Sequence, residues 1–308
     1  MREHRHVLIL FLDGVGIGPC DEATNPFCHA SLPNLQGLLE GQLPFSGNST
    51  IRASGATLVP VDATLGMEGL PQSGTGQTTL LTGINAAQLI GRHLGPYPDA
   101  SLRQLIAEGN LFKAVVRIGG RVTFANAFPD IYLDRLARGK GRRSAIIHAV
   151  QAAGLSLRGP LDLQEGQAVS AFLTNRRWQQ RGFGHPPLIS PHQAGKNLYR
   201  LSCQFHLTAF EYFLTDIGGH RPQRDFVLGV LHQLDGLIGG ILAHFDEAEC
   251  LLAVVSDHGN LEDWTTRKHT RNPVPALFVG KGHGEVSSGL NSLADVAPAI
   301  LSWLSDQL

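Results

Sequence analysis

The chain has 308 residues, 43% of them hydrophobic and 17% charged, with a formal net charge of -1. That length suits about two domains of ordinary size, or one large domain carrying an insertion, and either can bury a full core. No block of like charges offers a nucleic-acid surface, and no apolar run approaches the length of a membrane span. The 14 histidines are a high count for the commonest metal ligand, so their spacing carries information. Four cysteines, Cys20, Cys28, Cys203 and Cys250, form no Cys-x-x-Cys pair, which argues against both a zinc knuckle and a disulfide framework. The expectation is a soluble, cytoplasmic protein with neither nucleic acid nor membrane as partner; nothing in the pattern sets an oligomeric state.

In chain order, Val7–Leu12 is an unbroken apolar run closed by Asp13-Gly14. It predicts a strand buried on both faces of a parallel sheet, with Asp13 at its C-terminal end, and it is too short for a signal-peptide core. Leu70–Gly83 packs hydroxyls and glycines into a turn before a predicted helix. Backbone N–H groups at such a start favour an anion, and a serine there, Ser73, can be ionised by a metal and attack phosphorus. From about His93 to Tyr199 the texture changes: more arginine, a Gly139–Arg143 turn and prolines around Pro186–Pro191 read as an inserted cap. Gly120–Ala127 within it predicts a strand, so the cap is mixed α and β.

Asp216 and His220 stand four positions apart and can chelate from one helical face or from a loop, the two intervening glycines favouring a loop. Phe226–His244 carries Val227, Val230, Leu231, Leu234, Leu237, Ile238 and Ile241 at helical spacing. A second strand, Leu251–Val255, ends in Ser256-Asp257-His258-Gly259, where an adjacent carboxylate and imidazole can serve one metal or two neighbouring ones. His269 sits on a proline-stiffened loop ahead of a third apolar run, Ala276–Val279, and Ser292–Leu304 reads as a closing amphipathic helix. Ligands of open α/β sheets bind beyond the carboxyl ends of the strands, so the groups after the first two runs are expected to converge.

Taken singly, these fragments are better read as ordinary caps or turns, with a stray histidine beside the carboxylates. Together and in order, they resemble one family. Asp13-Gly14, Ser73 ahead of Leu-Leu-Thr-Gly, Asp216-x-x-x-His220, Ser256–Asn260 and His269-Thr-x-Asn-Pro-Val-Pro follow the order seen in the alkaline phosphatase superfamily. Within it they are similar to cofactor-independent phosphoglycerate mutases and phosphopentomutases. Asp13–Gly18 looks like the latter, Asp257–Asn260 and His269–Pro275 like the former, and Leu293–Pro298 matches the superfamily's closing helix. The resemblance covers about residues 5–92 and 205–305.

The resemblance implies an α/β fold with an alkaline-phosphatase-like, mostly parallel sheet flanked by helices. A discontinuous metal-binding core would occupy 1–94 and 200–308, with a small inserted α+β cap over 95–199. It further implies one metal on Asp216, His220 and His269 and a second on Asp13, Asp257 and His258, with Ser73 between them as ligand and nucleophile. Thr75 is the rival, because phosphopentomutases use a threonine. Ser73 aligns better, standing ten residues before Gly83 at the offset where sulfatases place their modified cysteine. Gln77 departs from the pattern, since both mutase families carry histidine there.

Oxygen and nitrogen donors suit two divalent ions, manganese or zinc, and histidine participation disfavours magnesium alone. The expected activity is a metal-dependent phosphohydrolase or phosphotransferase acting on a small phosphorylated metabolite through a phosphoserine. The alternatives are a phosphomutase of the phosphoglycerate or pentose phosphate type, and a metal-binding relative without turnover. Arg92 and His93 lie nearest the matched core and, with Thr75, are the expected substrate contacts. The other cap cations, Arg135 and Arg142 among them, are expected to be mostly a solvated face.

Overall fold

Strands form here where apolar runs find cover on both faces. In the computed structural model, which describes residues 5–305 apart from 43, 44, 46 and 48, seven strands build one sheet. They are β1 (His6–Leu12), β2 (Ile51–Arg52), β3 (Ala56–Val61), β4 (Val122–Phe124), β5 (Leu207–Tyr212), β6 (Cys250–Ser256) and β7 (Val274–Val279). The order across the sheet is β2-β3-β7-β6-β1-β5-β4. β1 is buried along its whole length, parallel to β5 on one side and β6 on the other. Its alternate side chains serve two layers: Val7, Ile9 and Phe11 pack with Leu80, Val296 and Ile300, whereas Leu8, Leu10 and Leu12 pack with Leu198, Leu234 and Ile238.

The sheet is mixed. β4, β5, β1 and β6 run parallel, β7 lies antiparallel to β6, β3 antiparallel to β7, and β2 antiparallel to β3. The reversal of β7 matters for the site. It brings the start of β7, rather than its end, to the edge where β1 and β6 finish, so the loop before β7 reaches that edge.

Three expectations are corrected. The segment 95–199 is not a self-contained cap: β4, inside it, is the sheet's outer strand beside β5. Helices Ala100–Glu108 and Ala145–Ala152 pack on the Ser73–Thr82 helix, and Leu111–Arg117 packs on Leu293–Ser305. The cause is hydrophobic, because residues such as Ile106, Phe112, Phe124 and Ile146 find their cover only in the main core. What stands apart has a small cluster of its own, Ala127, Leu163, Ala168 and Trp178 with Phe183. Secondly, one described helix, Arg224–Leu242, is long and apolar enough to cross a membrane. Its apolar positions are buried against Pro191–Ser202 and β1, as the helical spacing predicts. Thirdly, Leu214–His220 is helical rather than a loop. Its two glycines let the backbone lie against Leu261 and Asn260, where a Cβ would come within 2.9 and 2.3 Å of those side chains.

Candidate metal centre

The site lies beyond the strand ends. Parallel pairing sets Leu12 opposite Ser256, so Asp13 after β1 and Asp257-His258 after β6 emerge side by side. Asp216 and His220 come from the helix after β5, and His269 from the loop before β7. Ser73 opens a helix buried along nearly its whole length. Gly76 permits that depth, because a Cβ there would come 2.5 Å from the carbonyl of Asp257, and the helix therefore rests on the ligand loop itself.

The structure brings all seven expected groups together as two adjoining clusters. In the first, His220 Nε2 lies 3.4 Å from Asp216 Oδ1 and 3.2 Å from His269 Nε2, and His269 Nε2 lies 3.7 Å from Asp216 Oδ1. In the second, His258 Nε2 is 2.9 Å from Ser73 Oγ, 3.3 Å from Asp13 Oδ1 and 3.7 Å from Asp257 Oδ2. The rings of His258 and His269 stack at 3.8 Å between centroids and form the wall that the clusters share.

The imidazoles are oriented alike. His269 Nδ1 is 2.6 Å from the Pro71 carbonyl, His220 Nδ1 2.8 Å from that of Arg267, and His258 Nδ1 3.3 Å from that of Gly259. A ring that donates Nδ1–H to a carbonyl leaves its lone pair on Nε2, so these bonds assign the tautomers. Two such lone pairs, on His220 and His269, then face each other, and neither has a hydrogen to offer. Around His258, Asp13 Oδ1 and Asp257 Oδ2 are buried without a hydrogen-bond partner. A divalent cation in each cluster would satisfy these atoms, so the residues present fit metal binding.

Charge tells the same story. Burial is the chief reason that the Asp257 carboxyl is pushed well above the usual carboxylate range, and it raises Asp13 as well. Burial acts to lower His258, yet the carboxylates of Asp257, Asp13 and Asp216 together override it and push the imidazole up to about 10. His269 drops to about 4 through burial and the charge of His258.

Two residues outside the expected set organise the centre. Asn260 Nδ2 donates to Asp216 Oδ1 at 2.9 Å. Glu262, wholly buried, accepts from the backbone N–H groups of Gly16 and Asn260 at 2.8 Å each, and from Thr270 Oγ1 and Asn272 Nδ2. One carboxylate thus ties the loop after β1, the loop after β6 and the loop before β7. The sequence signal was a second acid close behind Asp257.

From Ser73 a cleft of about 600 Å³ opens towards solvent. Gln77 and Glu211 lie on it beside Ser73, and Gln77 Nε2 donates to Glu211 Oε1 at 3.4 Å. Burial, then the charges of Asp13 and Asp257, lift the Glu211 carboxyl well above its usual range. Its signal was an acid inside the otherwise apolar run of β5. Arg135 and Arg142 line the cleft; Arg92 and His93 do not. Arg92 pairs with Asp99 at 3.6 Å on the outer surface, and the half-buried His93 is held low by burial and by Arg271. Thr75 is wholly buried, its hydroxyl donating to the Gln72 carbonyl at 3.1 Å. Two helical steps turn it roughly 200° from Ser73, away from the cleft.

A family model described as the Metalloenzyme superfamily matches residues 193–306, which hold five of the seven groups. The 2,3-bisphosphoglycerate-independent phosphoglycerate mutase of Cellvibrio japonicus is 35% identical over 100 residues, and that of Pseudomonas putida 32% identical over 108 residues. These stretches cover 30% and 33% of this chain but only 19% and 21% of the relatives' own length. Among solved structures, the PH0037 protein of Pyrococcus horikoshii superposes with a TM-score of 0.59 at 18% identity, covering 100% of this chain and 98% of that one. The alkaline phosphatase of the Antarctic bacterium TAB5 superposes with a TM-score of 0.53 at 13% identity, covering 100% of both chains. Residues 193–306 match the Metalloenzyme superfamily, and motifs, fold and relatives together support a metalloenzyme similar to those of the alkaline phosphatase superfamily.

Proposed function

We propose that the protein is a two-metal phosphoryl-transfer enzyme, a phosphohydrolase or phosphotransferase acting on a small phosphorylated metabolite through a phosphoserine at Ser73. The observation that carries this reading is Ser73 Oγ, 2.9 Å from His258 Nε2, set at the mouth of a buried helix where the two ligand clusters meet the cleft. Asp216, His220 and His269 would hold one ion, and Asp13, Asp257 and His258, with Ser73, the other. Manganese or zinc bound there supplies Lewis-acid charge that eases loss of the Ser73 proton and offsets the charge of the phosphoryl oxygens.

The protein's own groups then do the following. Ser73 Oγ bonds to phosphorus as the ester P–O bond breaks, and the proton that Ser73 loses passes through water in the cleft to the departing oxygen. The start of the Ser73–Thr82 helix turns its positive end towards the phosphate. Water, or an acceptor hydroxyl, attacks the phosphoserine in turn; the Oγ–P bond breaks and Ser73 recovers its proton. None of the four cysteines forms a disulfide, which suits an enzyme of the reducing cytoplasm.

A phosphomutase is the second reading, and the 35% identity over 100 residues to a 2,3-bisphosphoglycerate-independent phosphoglycerate mutase supports it. Metal content, phosphate release from a panel of monoesters, and mass spectrometry at Ser73 decide between them. We expect two metals per chain, phosphate release absent in Ser73→Ala, and a trapped phosphoserine. Isomerisation of phosphoglycerate without phosphate release would favour the mutase. Two bound metals with neither turnover nor phosphoserine would overturn both, leaving a metal-binding protein.

A further inference from the structure

The cleft wall is unlike its floor. Around Ser73 it carries carboxylates and a carboxamide, whereas much of the rest of its lining is built from rings. Phe128 and Tyr132 stack at 5.1 Å with 25° between their planes, and Phe172 meets Phe213 edge-on at 6.0 Å and 84°. All four line the cleft and all four remain partly exposed to it. Apolar rings left against water at the mouth of a polar site call for an occupant with matching chemistry. Polyhydroxylated phosphates would set their hydroxyls against these rings with few partners to receive them.

Among the described residues that line this cleft, positive charge comes from Arg135 and Arg142, both exposed, and Arg177, outside that lining, lies over the Phe172 ring at 5.1 Å. Arg142 is held over the Tyr97 ring at 5.6 Å, and Tyr97 itself lines the cleft. Acidic groups beside Ser73, partly exposed rings and exposed cations line a single cavity.

We infer that the substrate is a phosphate monoester of a flat aromatic group, which lies against the Phe128–Tyr132 and Phe172–Phe213 rings, with Arg135 and Arg142 receiving a second anionic group on its far side. This rests on the phosphoryl-transfer reading above. The Ser73 Oγ–P bond forms, the P–O bond to the ring breaks, and the aryloxide leaves with the bonding pair, taking through water in the cleft the proton that Ser73 loses.

The test separates this inference from the reading beneath it by using ligands without a cleavable ester. Phenylphosphonate, methylphosphonate and 4-carboxyphenylphosphonate are titrated into the manganese-loaded full chain by calorimetry. Phenylphosphonate should bind about tenfold more tightly than methylphosphonate, the order expected of one stacked ring. That ratio should collapse in Tyr132→Ala and Phe172→Ala and survive in Tyr132→Phe, which controls for folding. The carboxylated ligand should bind more tightly still, an advantage lost in Arg142→Ala. Equal affinity for phenyl- and methylphosphonate, or binding of neither, overturns the inference. An aryl preference without turnover of any ester would instead overturn the phosphoryl-transfer reading and leave an aryl-phosphonate site standing. Turnover of glycerol phosphate and phenyl phosphate at equal efficiency would do the reverse.

Discussion

The ligand-bearing edge of the sheet and the cleft wall over residues 127–190 are built on different terms. At the edge, each imidazole is held through its second nitrogen by a carbonyl, and Glu262 ties three loops together beneath them. The wall is made of short helices, Asp130–Ala137, Pro160–Gln164 and Arg176–Gln180, around a small cluster, and its rings stay partly exposed. Groups that must converge to within a few ångströms are pinned by regular main chain. Groups that recognise a substrate need only present a surface, and they can change without moving the first set.

The sharpest way to break this contrast is Ser73→Ala. It should lower phosphate release about a thousandfold or more while the melting temperature holds, because it removes the attacking atom and little buried surface. A stability pair comes next. Leu10→Ala, wholly buried beneath the edge, should cost about 2–5 kcal/mol in urea unfolding. Leu163→Ala, in the small cluster of the wall, should fall near the bottom of that range or below it; equal costs would mean that the wall is no looser than the core.

Glu262→Gln probes how the edge is held. It keeps the size but loses one of two acceptor oxygens that together receive four hydrogen bonds, so metal affinity should drop about 10–100-fold by metal titration. An unchanged affinity would show that the loops hold themselves. Arg92→Ala should have the smallest effect, less than about twofold on turnover, since an exposed ion pair contributes at most about 1 kcal/mol. A large loss there would restore Arg92 as a substrate contact.

Much of the edge was legible because its causes are local. β1 and β6 are covered on both faces, so they read as unbroken apolar runs ending in the groups they deliver. Asp216 and His220 were legible as a chelating pair from their spacing, though the glycines between them read as a loop and the segment is helical, and the order of five motifs carried the rest. The direction of β7 was not legible, because a strand buried on both faces carries the same apolar pattern whichever way it runs. Nor was the fate of β4, whose three residues could have joined a cap sheet as well as the main one.

The chain by itself determined which residues can bind metal or attack phosphorus, since those are properties of residue type and short spacing. Tertiary structure alone decided which hydroxyl and which cations face the cleft. Ser73 and Thr75 differ only in helical phase relative to the sheet, and Arg92 differs from Arg135 and Arg142 only in the path of the main chain between them. A side chain's chemistry is written at its own position, but its direction is set by everything it packs against.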